Sequence, residues 1–423
     1  MNTMDDLKPV AENFIRQLAA GEFAAAMARF DGNMLQALPE AKLKEAWGQI
    51  LTQVGPYQQI LGSQAGERQG QPIVTVSGQF DRAAMNFVVS FNEGGQIAGL
   101  NVTLGAATTA YQSPAYVNSA AFHETEVTVG SGPWALPGTL SLPAGAGPFP
   151  AVMLVHGSGP QDRDETIGPN RPFRDLAWGL ASQGIAVLRY EKRTKEHAAL
   201  YTPELVAAIT VQEETIDDAL AAVRLLRQTP GIDPRCLYVL GHSLGATLAP
   251  RIGQQDPSIA GLIILAGIAR TLEDTILDQF TYLYSLSGSP TKDQQAELDE
   301  LKLKVARAKE PNLSAMPAKD LPLCIQPAYW LSLRGYQPHE VARALDMRLL
   351  VLQGGRDYQV TPEGDFALWQ KALAGQGNVT FKLYPKLFHL FIPGEGPSTP
   401  QEYFVEGHVS DEVINDIAHW IRQ

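Results

Sequence analysis

Apolar residues recur at helical spacing from the start of the chain: Leu7, Val10, Phe14 and Leu18, then Phe23, Met27 and Phe30 after Gly21, then Leu43, Trp47 and Ile50. The period then changes to two. Residues 72–80 and 83–92 predict strands, and the second places Met85, Phe87, Val89 and Phe91 on one face. Asn92-Glu93-Gly94-Gly95 is turn chemistry leading to a third strand at 96–103. Helices followed by an antiparallel meander predict an α+β accessory domain over residues 1–103. Residues 104–122 are small and polar with one proline, and read as a linker.

From residue 123 the pattern changes again. Two strands are expected near 124–130 and 138–142. Short, continuous apolar runs follow at 151–155, 185–190, 237–240, 262–265 and 348–352. Continuous rather than alternating runs belong to strands covered on both faces, hence to a mostly parallel sheet. Helical stretches separate them, the clearest at 215–228, where Ile216, Leu220, Val223 and Leu226 form one stripe. The expectation for 123–423 is a doubly wound α/β sheet. About 75 residues between 269 and 345 interrupt the alternation without strand pattern. They hold a charged helix at 292–309 and the aromatics Tyr282, Tyr284, Tyr329, Trp330 and Tyr336. A structureless loop of that length is improbable, so a helical cap is expected there.

Composition narrows the function classes. Lys and Arg number 33 against 45 Asp and Glu, a net charge of −12, which argues against nucleic acid or an anionic membrane as partner. No apolar run is long enough to span a bilayer. Asp5, Asp6, Lys8, Glu12 and Arg16 interrupt any signal-peptide core, so a cytoplasmic location is expected, with export the alternative. Cys236 and Cys324 carry no metal spacing and read as two buried free thiols, with a single bridge left open.

The decisive residues are Gly241-His242-Ser243-Leu244-Gly245. Gly-x-Ser-x-Gly alone is weak, but this one follows a buried strand and opens a helical run, the setting of a nucleophile elbow. A serine hydroxyl is inert at neutral pH until a base takes its proton. The order Ser, acid, His along an α/β-hydrolase then selects Asp357, in the turn after the strand at 349–352, over Asp346 at that strand's other end and Asp365 in the next helix. His389, on the loop after a strand at 379–384, is the expected base. His408 is a distant second, and His419 shares an amphipathic helix with Val413, Ile417 and Trp420. An oxyanion needs backbone donors. Leu244 N–H is one; the loop His156-Gly157-Ser158-Gly159-Pro160 supplies the other, assigned to Ser158 with Gly157 or Gly159 as fallback. His156 and His242 are expected to support these loops. No metal, nucleotide or other cofactor is expected.

The string from His156 through Pro160 to Gln161-Asp162-Arg163-Asp164-Glu165, with the elbow and Pro327-Ala328-Tyr329-Trp330, resembles the bacterial EstD-type carboxylesterases of the serine α/β-hydrolase superfamily. The likeness runs from about residue 124 to the C-terminus. The N-terminal unit is similar to the cystatin-like or nuclear-transport-factor-like small domains that such esterases carry. The resemblance implies hydrolysis of short-chain carboxylic esters by Ser243, His389 and Asp357 through an acyl-enzyme. The cap would act as a lid, with Tyr282, Tyr284, Tyr329 or Trp330 lining the substrate pocket or forming cap core. A small-molecule ester is the expected partner, a homodimer is compatible with the chain, and a serine peptidase or amidase on the same fold is the alternative. A non-catalytic binding protein is a remote third reading, opposed by the intact Ser243, Asp357 and His389 set.

Overall fold

In the computed structural model, residues 4–68, 71–105, 111–286 and 288–423 are described; positions 106–110 of the expected linker lie outside them. The alternating segments near the N-terminus form a four-stranded antiparallel meander, β1 (Tyr57–Arg68), β2 (Gln71–Phe80), β3 (Ala84–Phe91) and β4 (Ile97–Leu104), paired in chain order. Val74, Val76 and Phe80 of β2 meet Phe87, Val89 and Phe91 of β3 in one buried layer. Helices Met4–Ala19 and Glu40–Val54 close it with Phe14, Leu18, Leu43 and Trp47. Two elements escape the pattern. The short helix Gly32–Ala37 starts on an Asp31 cap, whose carboxylate accepts the Met34 N–H at 2.8 Å. Strand β1 opens Tyr-Gln-Gln-Ile-Leu-Gly-Ser-Gln, without two-residue alternation, and is held by its backbone ladder to β2. This unit comprises Met1–Gln112 joined by Ile167–Asn170 and Pro400–Glu406, so it is not contiguous as the sequence suggests; Phe404 contributes to its core.

The second unit is built on an eight-stranded sheet. Its strands are β5 (Phe122–Val129), β6 (Leu136–Pro143), β7 (Phe149–Val155), β8 (Ala186–Tyr190), β9 (Ile232–His242), β10 (Gly261–Leu265), β11 (Arg348–Gly354) and β12 (Val379–Tyr384), in the order β12-β11-β10-β9-β7-β8-β6-β5. Strands β7 to β12 run parallel, and β6 and β5 complete one edge antiparallel. Successive residues feed two different cores. Met153, Val239, Ile264 and Val351 pack under helices Asp217–Gln228 and Leu244–Gln255. Leu154, Leu240, Ile263 and Leu350 pack under Pro172–Ala181 and Asp411–Arg422. With about 1.5–3 kcal/mol for each buried Val, Leu or Ile, neither face tolerates polar alternation, which is why the runs read as continuous.

Between β10 and β11 the chain makes the expected strand-free insertion, with helices Leu272–Ser285, Lys292–Ala308, Pro327–Leu333 and Pro338–Arg343. Ile276, Leu313, Leu321 and Trp330 form its small core. The charged helix starts on a capping box: Thr291 Oγ1 accepts Gln294 N–H while the Gln294 side chain accepts Thr291 N–H. The thiols are free but not buried as expected: Cys236 is partly exposed and Cys324 exposed on the insertion. Among the described residues no helix is long and apolar enough to cross a membrane.

Candidate active site

The parallel strands β7, β9, β11 and β12 deliver the candidate residues to one end of the sheet. Ser243 follows β9, Asp357 lies three residues past β11, His389 lies on the loop after β12, and Gly157 follows β7. Ser243 sits at φ 53°, ψ −117°, a left-handed backbone that side-chain-bearing residues seldom adopt. The flanking glycines make this turn sterically feasible. A Cβ on Gly241 would stand 2.3 Å from the Gly245 carbonyl oxygen, and one on Gly245 would stand 2.2 Å from that of Val155. Main-chain bonds hold the elbow: Ser243 N–H donates to Leu265 O at 2.9 Å, and Ser243 O accepts Thr247 N–H and Oγ1–H at 3.0 and 3.1 Å.

Asp357 and His389 come together. His389 Nδ1 lies 2.8 Å from Asp357 Oδ2, with both residues buried. The carboxylate is fully engaged, since Oδ1 accepts Gln359 and Val360 N–H at 2.8 and 3.0 Å and Gln353 Nε2 donates to Oδ2 at 3.2 Å. The rivals are occupied elsewhere. Asp365 accepts Ala269 N–H at 2.9 Å and pairs with Arg270, anchoring the root of the insertion. His408 Nδ1 faces Asp175 at 3.1 Å, and His419 meets Gln423 on the terminal helix.

The loop after β7 lies against the elbow: a Cβ on Gly157 would be 3.3 Å from that of Ser243. Gly157 N–H already donates to Glu165 Oε1 at 2.6 Å, so this fallback donor is committed and the assignment narrows to Ser158 or Gly159. Leu244 is the first residue of helix Leu244–Gln255, where N–H groups have no intrahelical acceptor and the helix dipole favours an anion. Each residue of Asp162-Arg163-Asp164-Glu165 has its own task. Asp162 caps the turn through Asp164 and Thr166 N–H, Arg163 pairs with Glu126 and Glu191, Asp164 pairs with buried Arg189, and Glu165 reaches the loop and His242.

His242 and Glu165 form a buried pair, Nδ1 to Oε2 at 2.8 Å. Burial, the largest single influence, disfavours charge on both. Their mutual attraction and hydrogen bonding outweigh it, holding Glu165 below the usual glutamate range and His242 above that of histidine. His242 Nε2 bonds the His389 carbonyl at 3.0 Å, so the pair supports the loop of His389 as well. His156 behaves oppositely. It is packed against Phe173 and Tyr190, with Nε2 on Asp162 O at 3.0 Å, and burial followed by nearby Lys192 pushes it down to about 4. A histidine kept neutral in the fold but titrating near 6.5 when unfolded supports the fold fully above pH 6.5, and that support is lost as pH falls towards 4. The shift corresponds to about 3 kcal/mol. Urea unfolding at pH 7 and 4.5 should therefore show a stability loss in the wild type that is smaller by about 2 kcal/mol in His156→Gln, the part of the full effect reached above the folded pKa; equal losses in both would exclude His156 as the cause.

The expected pocket aromatics separate. Trp330 lines a cavity of about 340 Å³, together with Leu244, Ile268, Leu333, Tyr336 and Arg334 at its rim. Of the other three, none lines this cavity. Tyr329 is turned into the sheet core with its hydroxyl on Glu214 at 2.6 Å, because a buried phenol needs an acceptor. Tyr284 reaches outward to Glu297, and Tyr282 stacks on Tyr358, beside Asp357, at 5.0 Å between ring centres. Glu165 and Lys192 were not singled out from the sequence. Their signal was a charged residue ending the 156–165 string and a charged triplet, Glu191-Lys192-Arg193, directly after an apolar strand.

Comparison with known proteins identifies relatives of both units. The serine aminopeptidase S33 family matches residues 148–395, and DUF3887, a family of proteins of unknown function, matches residues 11–100. Esterase EstD of Thermotoga maritima is 39% identical over 409 residues, covering 96% of this chain and 93% of that protein. Among solved structures, Est1E from Butyrivibrio proteoclasticus aligns over 70% of this chain and 98% of its own with TM-score 0.44 at 14% identity. A Pyrococcus furiosus esterase aligns over 64% of this chain and 84% of its own with TM-score 0.43 at 17% identity. At 39% identity over nearly the full length of both proteins, and with the hydrolase family model spanning more than half of the chain, the chain belongs to the EstD esterase family of the serine α/β-hydrolases.

Proposed function

We propose that the protein is a carboxylesterase for short-chain esters working through an acyl-enzyme. The observation that carries this reading is the 2.8 Å contact between His389 and Asp357, on loops at the same end of the sheet as the elbow serine. In acylation, Ser243 Oγ attacks the ester carbonyl while His389 Nε2 takes its proton. Asp357 holds the proton on Nδ1 and stabilises the imidazolium. The Leu244 and Ser158 N–H groups receive the oxyanion. Collapse breaks the bond to the alcohol, which leaves with the proton from His389, and water repeats the sequence to release the acid.

The cavity beside Leu244 would hold the acyl or alcohol chain, and its volume of about 340 Å³ lies within the range of small-ligand pockets. Each methylene gains about 0.8 kcal/mol while room remains, and overpacking reverses the trend once it is filled. Across a series of nitrophenyl esters kcat/KM is expected to peak between acetyl and hexanoyl and to fall beyond. Trp330→Ala should move the peak to longer chains. A profile flat or rising to dodecanoyl esters would mean an open groove. An amidase reading has one point in its favour, the description of the matched family as serine aminopeptidase. Matched ester and anilide substrates separate the two, and faster anilide cleavage would replace the esterase reading.

A further inference from the structure

A second buried polar cluster lies beside the elbow and the loop of His389. It grips Gly157 from both sides. The Gly157 N–H donates to Glu165 Oε1 at 2.6 Å, and the Gly157 carbonyl accepts Lys192 Nζ at 2.8 Å. Glu165 is 1% exposed and Lys192 2%. Both are held from behind. Lys192 pairs with Glu214 at 3.3 Å, and Glu214 accepts the Tyr329 hydroxyl at 2.6 Å. Glu165 faces His242 at 2.8 Å, and His242 bonds the His389 carbonyl at 3.0 Å. Two buried acid–base pairs are expensive to desolvate, and apolar residues would fill the same volume at least as stably. Their arrangement is therefore explained better by the geometry it imposes than by stability.

That geometry follows from the peptide bond. The Gly157 carbonyl and the Ser158 N–H belong to one planar unit, trans here, in which the two groups point in opposite directions. An ammonium fixed on the carbonyl aims the Ser158 N–H away from itself and removes the plane's freedom to turn. Glu165, holding the preceding N–H, fixes the other side of Gly157, where the missing side chain would otherwise leave the backbone most mobile. We infer that Lys192 and Glu165 are positioning residues that lock the Gly157–Ser158 peptide, so that the second oxyanion donor is set before substrate arrives. The inference rests on the reading of Ser158 as that donor. Preorganised donors are effective because nothing reorients during the reaction, and losing one lowers kcat by about 10²–10³-fold.

The test uses Lys192→Met/Glu214→Gln, which removes the ammonium without leaving a buried unpaired charge, together with Glu165→Gln and Glu165→Ala. Turnover of nitrophenyl acetate, the rate of labelling by a fluorophosphonate and the thermal midpoint are measured for each. In the double variant, kcat and the labelling rate should fall together by about 10²-fold while KM stays within about threefold. Glu165→Gln keeps an oxygen for the Gly157 N–H and should retain at least about tenfold more kcat than Glu165→Ala. A folded double variant within about threefold of wild-type kcat, or a loss appearing in KM instead, overturns the inference. If the double variant does not fold, equal turnover of the two Glu165 variants overturns it, and the tenfold gap upholds it. Wild-type labelling is read in the same experiment. Absence of label on Ser243 would bring down the acyl-enzyme reading itself, whereas a labelled wild type with unaffected variants would bring down the peptide lock alone.

Discussion

Ser243→Ala should lower kcat by about 10⁵–10⁶-fold and leave the fold intact. The substitution removes one oxygen and nothing that holds the elbow, because the bonds at this position are main-chain bonds to Leu265 and Thr247. The left-handed backbone at φ 53° is as awkward for alanine as for serine, so the strain is common to both and cancels in the comparison. The thermal midpoint should therefore move by no more than about 1 °C, a fraction of a kcal/mol in a unit of this size. What survives is substrate binding and the oxyanion donors acting on water. Hydrolysis of nitrophenyl acetate with parallel thermal unfolding decides the matter. Retention of more than about a tenth of wild-type activity would mean that another group is the nucleophile.

The parts of this molecule that were legible in the sequence are those where one physical constraint writes one pattern. Strands buried on both faces must be apolar throughout, so 151–155 and 262–265 could be read directly. The elbow needs glycine where a Cβ on Gly241 or Gly245 would stand within 2.3 Å of backbone oxygens, so it leaves a spaced motif. Asp357 could be paired with His389 ahead of Asp346 because Asp346 lies at the wrong end of β11. Other features write no pattern. Strand β1 is an edge strand whose ladder is made by backbone atoms that every residue carries, and its glutamines gave no period. The direction of an aromatic ring is set by partners distant in sequence: Tyr329 and Trp330 are neighbours, yet Glu214 draws one into the sheet core while the other faces the cavity. Lys192 and Glu165 escaped for the same reason. A buried charge looks like a surface charge until its counter-ion, 22 residues away for Lys192 and Glu214, is brought beside it. Segments 167–170 and 400–406 join the first unit through contacts that no local composition announces.

Asp357→Asn should lower kcat by about 10⁴-fold, and the reason lies in the four donors around the carboxylate. Oδ1 accepts the Gln359 and Val360 N–H groups at 2.8 and 3.0 Å, so the amide oxygen of asparagine must take that side. The amide nitrogen is then forced to the Oδ2 position, 2.8 Å from His389 Nδ1 and 3.2 Å from Gln353 Nε2. Gln353 cannot turn to help, because the same nitrogen also donates to the Gly354 and Val360 carbonyls. A donor now faces His389 Nδ1, which satisfies it only by becoming an acceptor and carrying its proton on Nε2. In that tautomer His389 has no lone pair for the Ser243 proton, and the nucleophile stays a neutral hydroxyl. The residue is isosteric and its main-chain bonds persist, so folding should survive and KM should change little. Adding Ser243→Ala to Asp357→Asn should cost no more than Ser243→Ala alone, since residues acting as a unit are not additive. Steady-state kinetics of the single and double variants provides the check. An Asp357→Asn enzyme with more than about a hundredth of wild-type kcat would show that His389 does not depend on Asp357 for its tautomer.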